Sequence, residues 1–253
     1  MIILATTTPD YIAQGAACIV QNKLGLTSIP CFDLNAACTG FIYGLEVAYS
    51  LVKSGLYKNV LVIGAETLSR IIDMQNRNTC VLFGDGAAAA IVGQVEEGYG
   101  FLGLSIGAEG EDDMILKVPA GGSKKPNDEE TVKNRENFVV MKGQEVFKFA
   151  VRVLPKVTLE ALKKAKLNVQ DLSMIFPHQA NLRIIESAAK RMKFPLEKFY
   201  MNLSRYGNTS SASVGIALGE AIEKGLVKKG DNIALTGFGG GLTYGSAIIK
   251  WAY

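Results

Sequence analysis

Residues 31–41, Cys31-Phe32-Asp33-Leu34-Asn35-Ala36-Ala37-Cys38-Thr39-Gly40-Phe41, join two kinds of pattern within one short stretch. Residues 31–36 have the apolar character of a buried strand. From Thr39 onward, Phe41, Leu45, Ala48 and Val52 recur at the spacing of one helical face. A strand that runs directly into a helix is the repeating step of layered α/β proteins. The same alternation continues along the chain. Strands are predicted at 59–64, 89–95, 101–106, 174–176, 232–236 and 247–251, and helices at 11–24, 39–53, 143–165, 181–192 and 211–224. The chain also opens on an apolar run, residues 2–5, with no polar lead-in, which reads as strand. The expectation is an α/β fold with helices layered on sheets.

Residues 108–137 break the rhythm with Ala-Glu-Gly-Glu-Asp-Asp and Ala-Gly-Gly-Ser-Lys-Lys-Pro-Asn-Asp-Glu-Glu, and read as a long surface excursion. They divide the chain into 1–107, a connecting loop 108–137, and 138–253. The two parts end alike: Phe83-Gly84-Asp85-Gly86 and Phe238-Gly239-Gly240-Gly241 each precede an apolar strand pattern, which suggests an internal duplication.

Composition narrows the function. A chain of 253 residues that is 48% hydrophobic and 20% charged is an ordinary globular sequence. It can bury about three quarters of its unfolded surface. A net charge of only +3, with dispersed Lys and Arg, argues against a nucleic-acid binder. Cys18, Cys31, Cys38 and Cys80 form no CxxC pair and no ligand spacing, so reduced thiols, a cytoplasmic location and no metal are expected. No segment reaches the ~18 uninterrupted apolar residues of a membrane span, and no export signal is read.

Only one histidine is present. His178 sits in Pro177-His178-Gln179-Ala180-Asn181, beyond the mostly apolar run 172–176, where α/β proteins place their sites. Any imidazole chemistry is therefore its chemistry. Cys38 falls where the strand pattern ends and the helix begins. There the helix dipole and unpaired N–H groups favour a thiolate, so a lowered pKa and a nucleophilic role are expected. Cys18, Cys31 and Cys80 lie inside apolar helix or strand patterns and read as small buried side chains. Asn208, in Arg205-Tyr206-Gly207-Asn208-Thr209-Ser210-Ser211, is either a turn asparagine or an amide donor to a carbonyl oxygen. Gly237-Phe238-Gly239-Gly240-Gly241 matches no phosphate-loop pattern and suits close backbone approach to a substrate oxygen. Asp85, between glycines, reads as a structural turn.

Taken in order, Ala-Ala-Cys38-Thr-Gly-Phe, Pro-His178-Gln-Ala-Asn-Leu-Arg, Tyr-Gly-Asn208-Thr-Ser-Ser-Ala-Ser and Phe-Gly-Gly-Gly-Leu-Thr-Tyr-Gly-Ser resemble the β-ketoacyl-[acyl-carrier-protein] synthase III family, along the entire chain. The resemblance implies a thiolase-like fold of duplicated halves layered αβαβα, a homodimer, and initiation of type II fatty-acid synthesis. It implies that acyl-CoA acylates Cys38, with an oxyanion hole from the N–H groups of Cys38 and Gly240. His178 and Asn208 would bind the thioester carbonyl of malonyl-acyl-carrier protein. Arg77 and Asn181, with Phe238 and Gly239, would contact the coenzyme A substrate. Lys148, Arg183, Lys190 and Arg191 would meet the acidic carrier protein, although the lysines also read as a solvated face. The substrates are thioesters, with no cofactor and no metal.

The chain departs from that family in two respects. About the first quarter of a typical member is not matched, including residues that grip the coenzyme A adenine, so the N-terminal half is expected to be incomplete. At Ala13-Gln14 relatives usually carry Phe-Pro, which leaves acyl-chain preference open. A single histidine is incompatible with the Cys-His-His set of elongating synthases, and the last cysteine, Cys80, falls too early for a thiolase. A chalcone-synthase-like enzyme shares Cys-His-Asn but not the Pro-His-Gln-Ala-Asn context. Two other readings remain. One is a catalytically impaired remnant serving as a dimerising or carrier-protein-binding module, with an exposed sheet edge. The other is a papain-like Cys-His-Asn hydrolase, disfavoured by Ala-Ala-Cys-Thr-Gly.

Overall fold

The computed structural model describes residues 1–110 and 115–253. In chain order its elements are β1 (Ile2–Ala5), α1 (Ala16–Lys23), β2 (Cys31–Leu34), α2 (Gly40–Lys53), β3 (Asn59–Glu66), β4 (Gly86–Gly93), β5 (Gly100–Ala108), β6 (Leu116–Lys117), α3 (Glu129–Lys133), β7 (Val140–Met141), α4 (Gly143–Ala165), β8 (Met174–Pro177), α5 (Leu182–Met192), α6 (Leu203–Tyr206), α7 (Ser213–Glu223), β9 (Asn232–Gly239) and β10 (Thr243–Lys250). Each predicted strand and helix corresponds to one of these; β1 and α4 fall on their predicted bounds and the others have shifted ends.

Two four-stranded mixed sheets, ordered β2-β1-β3-β4 and β5-β10-β9-β8, carry the architecture, and β6 and β7 form a small separate pair. Strand periodicity explains how they stack. In β1, Ile3 faces the interior between the sheets, while Ile2 and Leu4 face α1. In β9, Ile233 and Leu235 face the same interior and Ala234 faces α4 and α5. The space between the sheets is filled by α2, through Phe41, Ile42 and Leu45, and by α7, through Val214, Ala217 and Leu218. The outer face of the second sheet is covered by α4 and α5, and that of the first by Ala16 and Ala17 of α1. The result is the five-layer αβαβα arrangement.

The duplication is visible in strand pairing. In the first half β1 pairs in parallel with β2 and with β3, and β3 pairs antiparallel with β4. In the second, β8 pairs in parallel with β9 and through Ile175 with Phe199, and β9 pairs antiparallel with β10. Thus α1, α2 and β4 have α5, α7 and β10 as counterparts.

Four expectations need correction. The helix predicted over 11–24 begins only at Ala16, because both carboxylate oxygens of Asp33 accept hydrogen bonds from the Ala16 and Ala17 N–H groups at 2.7 Å, satisfying its first turn from another element. Tyr11 and Ile12, before that start, are exposed. The boundary at residue 107 is displaced, since β5 pairs antiparallel with β10 and belongs to the second sheet. The strand predicted over 232–236 continues through Gly237 and Phe238 to Gly239. The 108–137 excursion is more than a surface loop: it contributes β6 and the Asp128-capped helix α3, and it buries Ile115, Ala120 and Thr131. Its acidic segment Glu111-Asp112-Asp113 lies outside the described residues. Asp85 is a structural turn, accepting the Ser69 N–H at 2.8 Å and the Ser69 hydroxyl at 2.6 Å.

Candidate active site

Cys38 lies in a single 3₁₀ turn, Ala37–Thr39, at the head of α2. Ala37 adopts φ 47°, a left-handed conformation costly for a residue with a Cβ, and it is held there from outside. The Thr39 and Thr243 hydroxyls are 2.7 Å apart and both reach the Ala36 carbonyl, at 2.7 and 2.9 Å. The end of β9 presses on the same turn: a Cβ on Gly239 would stand 2.6 Å from the Cys38 nitrogen. Glycine is needed here for close approach.

The thiol expected to be acidic is the reverse. Burial pushes Cys38 up to about 12; a hydrogen bond with Ser210 opposes this, and the Glu66 carboxylate reinforces it. Desolvation of the anion outweighs the hydrogen bonds from Ser210 and from the Cys38 N–H that would lower it. Cys38 is therefore a neutral thiol at physiological pH.

His178 follows the last residue of β8, and its N–H donates to the Thr236 carbonyl at 2.8 Å. The ring packs edge-on to Phe238 at 5.4 Å, and its Nδ1 lies 2.6 Å from the Ser213 Oγ. Burial lowers its pKa to about 3, so the imidazole is neutral. Gln179, beside it, anchors the turn: its Nε2 donates to the Pro177 and Tyr200 carbonyls and its Oε1 accepts from the Asn202 and Leu203 N–H groups. Asn208 is buried. Its side-chain oxygen accepts the Ser210 N–H at 2.8 Å, and its backbone is tied to Leu82 and Gly84. With the oxygen engaged, the amide NH₂ is the group left to act as a donor.

Two cavities meet at this place. One, about 160 Å³, is lined by Cys38, His178, Asn208, Asn181, Phe238 and Gly239. The other, about 490 Å³, is lined by Cys38, Gly240 and apolar side chains including Leu68, Ile71 and Val139. Cys38, Phe83 and Leu116 are the residues common to both. Leu116 comes from the excursion whose composition concealed its role.

The remaining candidates divide. Phe238, Gly239 and Asn181 line the first cavity and Gly240 the second, while Asn181 also caps α5 by accepting the Arg183 N–H. Arg77 is exposed and lines neither cavity. Arg183, Lys190 and Arg191 are exposed along α5, and Lys148 on α4 pairs with Glu145 at 2.8 Å. Cys18, expected to be buried, is exposed; the buried residues of α1 are Ala16 and Ala17. Among the described residues, no group of His, Cys, Asp and Glu side chains is arranged to hold a metal ion.

Two site residues escaped the sequence reading. Ser213 was quoted within the Asn208 motif but carried no role. Glu66, at the end of β3, is 4% exposed, and its Oε2 accepts from the Thr7 N–H and the hydroxyls of Thr6, Thr7 and Thr8. Its Oε1 accepts from the Ser211 hydroxyl at 2.8 Å. This knot joins the ends of β1 and β3 to the turn carrying Asn208. A glutamate at the end of an apolar strand was the available signal; its partners are remote in sequence.

The family described as 3-oxoacyl-[acyl-carrier-protein (ACP)] synthase III matches residues 32–110, and the one described as its C-terminal part matches residues 162–251. The chain is 91% identical over 253 residues to the β-ketoacyl-[acyl-carrier-protein] synthase III of Fusobacterium nucleatum subsp. nucleatum, covering 100% of this chain and 77% of that protein. It is similar to the crystal structure of 3-oxoacyl-[acyl-carrier-protein] synthase III from Aquifex aeolicus, with TM-score 0.89, 45% identity, and coverage of 99% of this chain and 76% of that one. The corresponding Pseudomonas aeruginosa structure gives TM-score 0.91 at 34% identity, covering 100% and 76%. With its five layers, its buried cysteine and this degree of identity, the chain belongs to the β-ketoacyl-[acyl-carrier-protein] synthase III family of condensing acyltransferases.

Proposed function

We propose that Cys38 is the acyl acceptor in a two-stage condensation of a short-chain acyl-CoA with malonyl-acyl-carrier protein, giving 3-oxoacyl-acyl-carrier protein, CO₂ and CoA. The observation that carries this reading is that Cys38 lines both cavities. The first, which holds His178 and Asn208, suits the reacting thioester, and the second, larger cavity, with Leu68, Ile71, Val118 and Val139 in its wall, suits the acyl chain.

In the first stage the Cys38 sulfur displaces CoA from the acyl carbonyl. The thiol proton leaves with the CoA sulfur, so acyl transfer is proton-neutral. Oxyanion stabilisation by the N–H groups of Cys38 and Gly240 is supported by their shared lining of the second cavity. In the second stage malonyl thioester loses CO₂. The resulting enolate attacks the acyl carbonyl and expels the Cys38 sulfur, which, with its raised pKa, takes up one proton from solvent, so that the charge of the malonyl carboxylate lost as CO₂ is balanced. His178 and Asn208 donate to the thioester oxygen where negative charge develops. For His178 we assign the proton to Nε2, with the Ser213 O–H donating to Nδ1. A neutral imidazole and an amide raise no new charge of their own, which suits binding an enolate.

Docking of the acidic carrier protein on Arg183, Lys190 and Arg191, with Lys148 nearby in sequence to the cavity-lining Phe147 and Phe149, is supported by their exposure. Arg77 keeps its proposed contact with coenzyme A outside the two cavities. A homodimer is supported by the open edge of β4, where Ala87, Ala89 and Ile91 are exposed. We place the enzyme in the cytoplasm. Among the described residues no helix is long and apolar enough to cross a membrane. The test is intact-protein mass spectrometry after incubation with acetyl-CoA and with longer and branched acyl-CoAs. An adduct that depends on Cys38 supports the reading, and a folded protein that takes no adduct overturns it.

A further inference from the structure

All four cysteines are free, yet two of them meet: the Cys18 Sγ on α1 and the Cys31 Sγ at the head of β2 are 3.3 Å apart. We propose that Cys18 and Cys31 form a dithiol site, separate from Cys38, which low-molecular-weight disulfides oxidise to an intramolecular disulfide.

The fold holds the pair in place. Asp33, two residues beyond Cys31, binds the first two N–H groups of α1, so the helix carrying Cys18 is fixed over the strand carrying Cys31. Access is unequal. Cys18 is exposed and Cys31 is partly buried. Burial, the hydrogen bond with Cys18 and the Asp33 carboxylate push the Cys31 thiol up, and the exposed Cys18 is the sulfur that a small disulfide reaches first.

The chemistry balances. The Cys18 sulfur attacks one sulfur of the small disulfide, forms a mixed disulfide and releases one thiol, which carries off the Cys18 proton. Cys31 then attacks the Cys18 sulfur, loses its own proton and expels the second thiol. The protein gives up two electrons and two protons, and the small disulfide becomes two thiols. The sulfurs close from 3.3 Å to the ~2.05 Å of an S–S bond. Cys38 stays apart because it is buried and its thiol is pushed up to about 12. Cys80 packs in a different apolar cluster, with Leu68, Ile72 and Val139.

The experiment treats the full chain with oxidised glutathione at neutral pH, alkylates the remaining thiols after unfolding, and maps the peptides. The expected result is loss of two alkylatable thiols, a mass lower by two hydrogen atoms, and a cross-linked Cys18–Cys31 peptide. Cys31→Ser should stop at a lasting glutathione adduct on Cys18. Cys18→Ser should lose the reaction while acyl loading of Cys38 is retained. A glutathione adduct that persists on wild-type Cys18 without ring closure overturns the proposal. So does reaction at Cys38 or Cys80 ahead of the pair.

Discussion

The turns that open the two central helices are built alike and used differently. Ala37–Thr39 leads into α2 and Ser210–Ala212 into α7, and the first residue of each, Ala37 and Ser210, has φ 47°. Cys38 and Ser211 are thus counterparts. Cys38 stands at the junction of two cavities, with Gly239 pressed against its nitrogen. The Ser211 hydroxyl is spent on the Ala5 carbonyl and the Glu66 carboxylate. The ends of the neighbouring strands differ in the same sense: β3 ends in a carboxylate that ties elements together, whereas β9 ends in glycine that leaves room. One geometry sets a thiol in the wall of two cavities in one half and a bracing hydroxyl in the other, and side-chain chemistry makes the difference.

The largest test of that comparison is Cys38→Ala, expected to abolish acyl loading in the mass-spectrometric assay. Ser211→Cys in that background should not restore it, because the counterpart position faces Glu66. Next, His178→Ala or Asn208→Ala should slow condensation roughly a hundredfold, about 2.7 kcal/mol, while single-turnover acylation of Cys38 is retained; equal loss in both half-reactions would remove the division of roles. Glu66→Ala strands the Thr7 N–H and hydroxyl and removes the carboxylate partner of Thr6, Thr8 and Ser211, and should destabilise the chain by about 2–3 kcal/mol in urea unfolding. Ser213→Ala should slow condensation about fivefold, near 1 kcal/mol, by freeing the His178 tautomer.

The smallest effect is one of pH. The folded His178 pKa, about 3, is below the ordinary 6.5, so acidification through 6.5 protonates the unfolded chain first and erodes stability. At pH 6 this amounts to about 0.8 kcal/mol. Urea midpoints at pH 7.5 and 6 should fall more for the wild type than for His178→Gln.

Much of this was legible in residue order. The β-branched runs and helical spacings marked the elements, and the four motifs around Cys38, His178, Asn208 and Gly240 supplied residues that the fold brings to the two cavities, because a thiol, an imidazole, an amide and a glycine are each a choice of residue type. Less legible was anything made by contact between distant segments. The start of α1 depends on Asp33, seventeen residues beyond Ala16. The role of Leu116 depends on how a charged, glycine-rich excursion is folded back over the cavities.

Sequence determined which groups are available for chemistry: one imidazole, one cysteine at a strand-to-helix junction, and an asparagine in a turn. Tertiary structure set the state in which they work. A helix N-terminus alone favours a thiolate, but Cys38 is buried, desolvation of the anion is the largest influence on its thiol, and the thiol moves up instead of down. Burial likewise keeps His178 neutral, and a serine thirty-five residues away orients its ring. Desolvation is a property of what surrounds a group in space, and residue order does not state it.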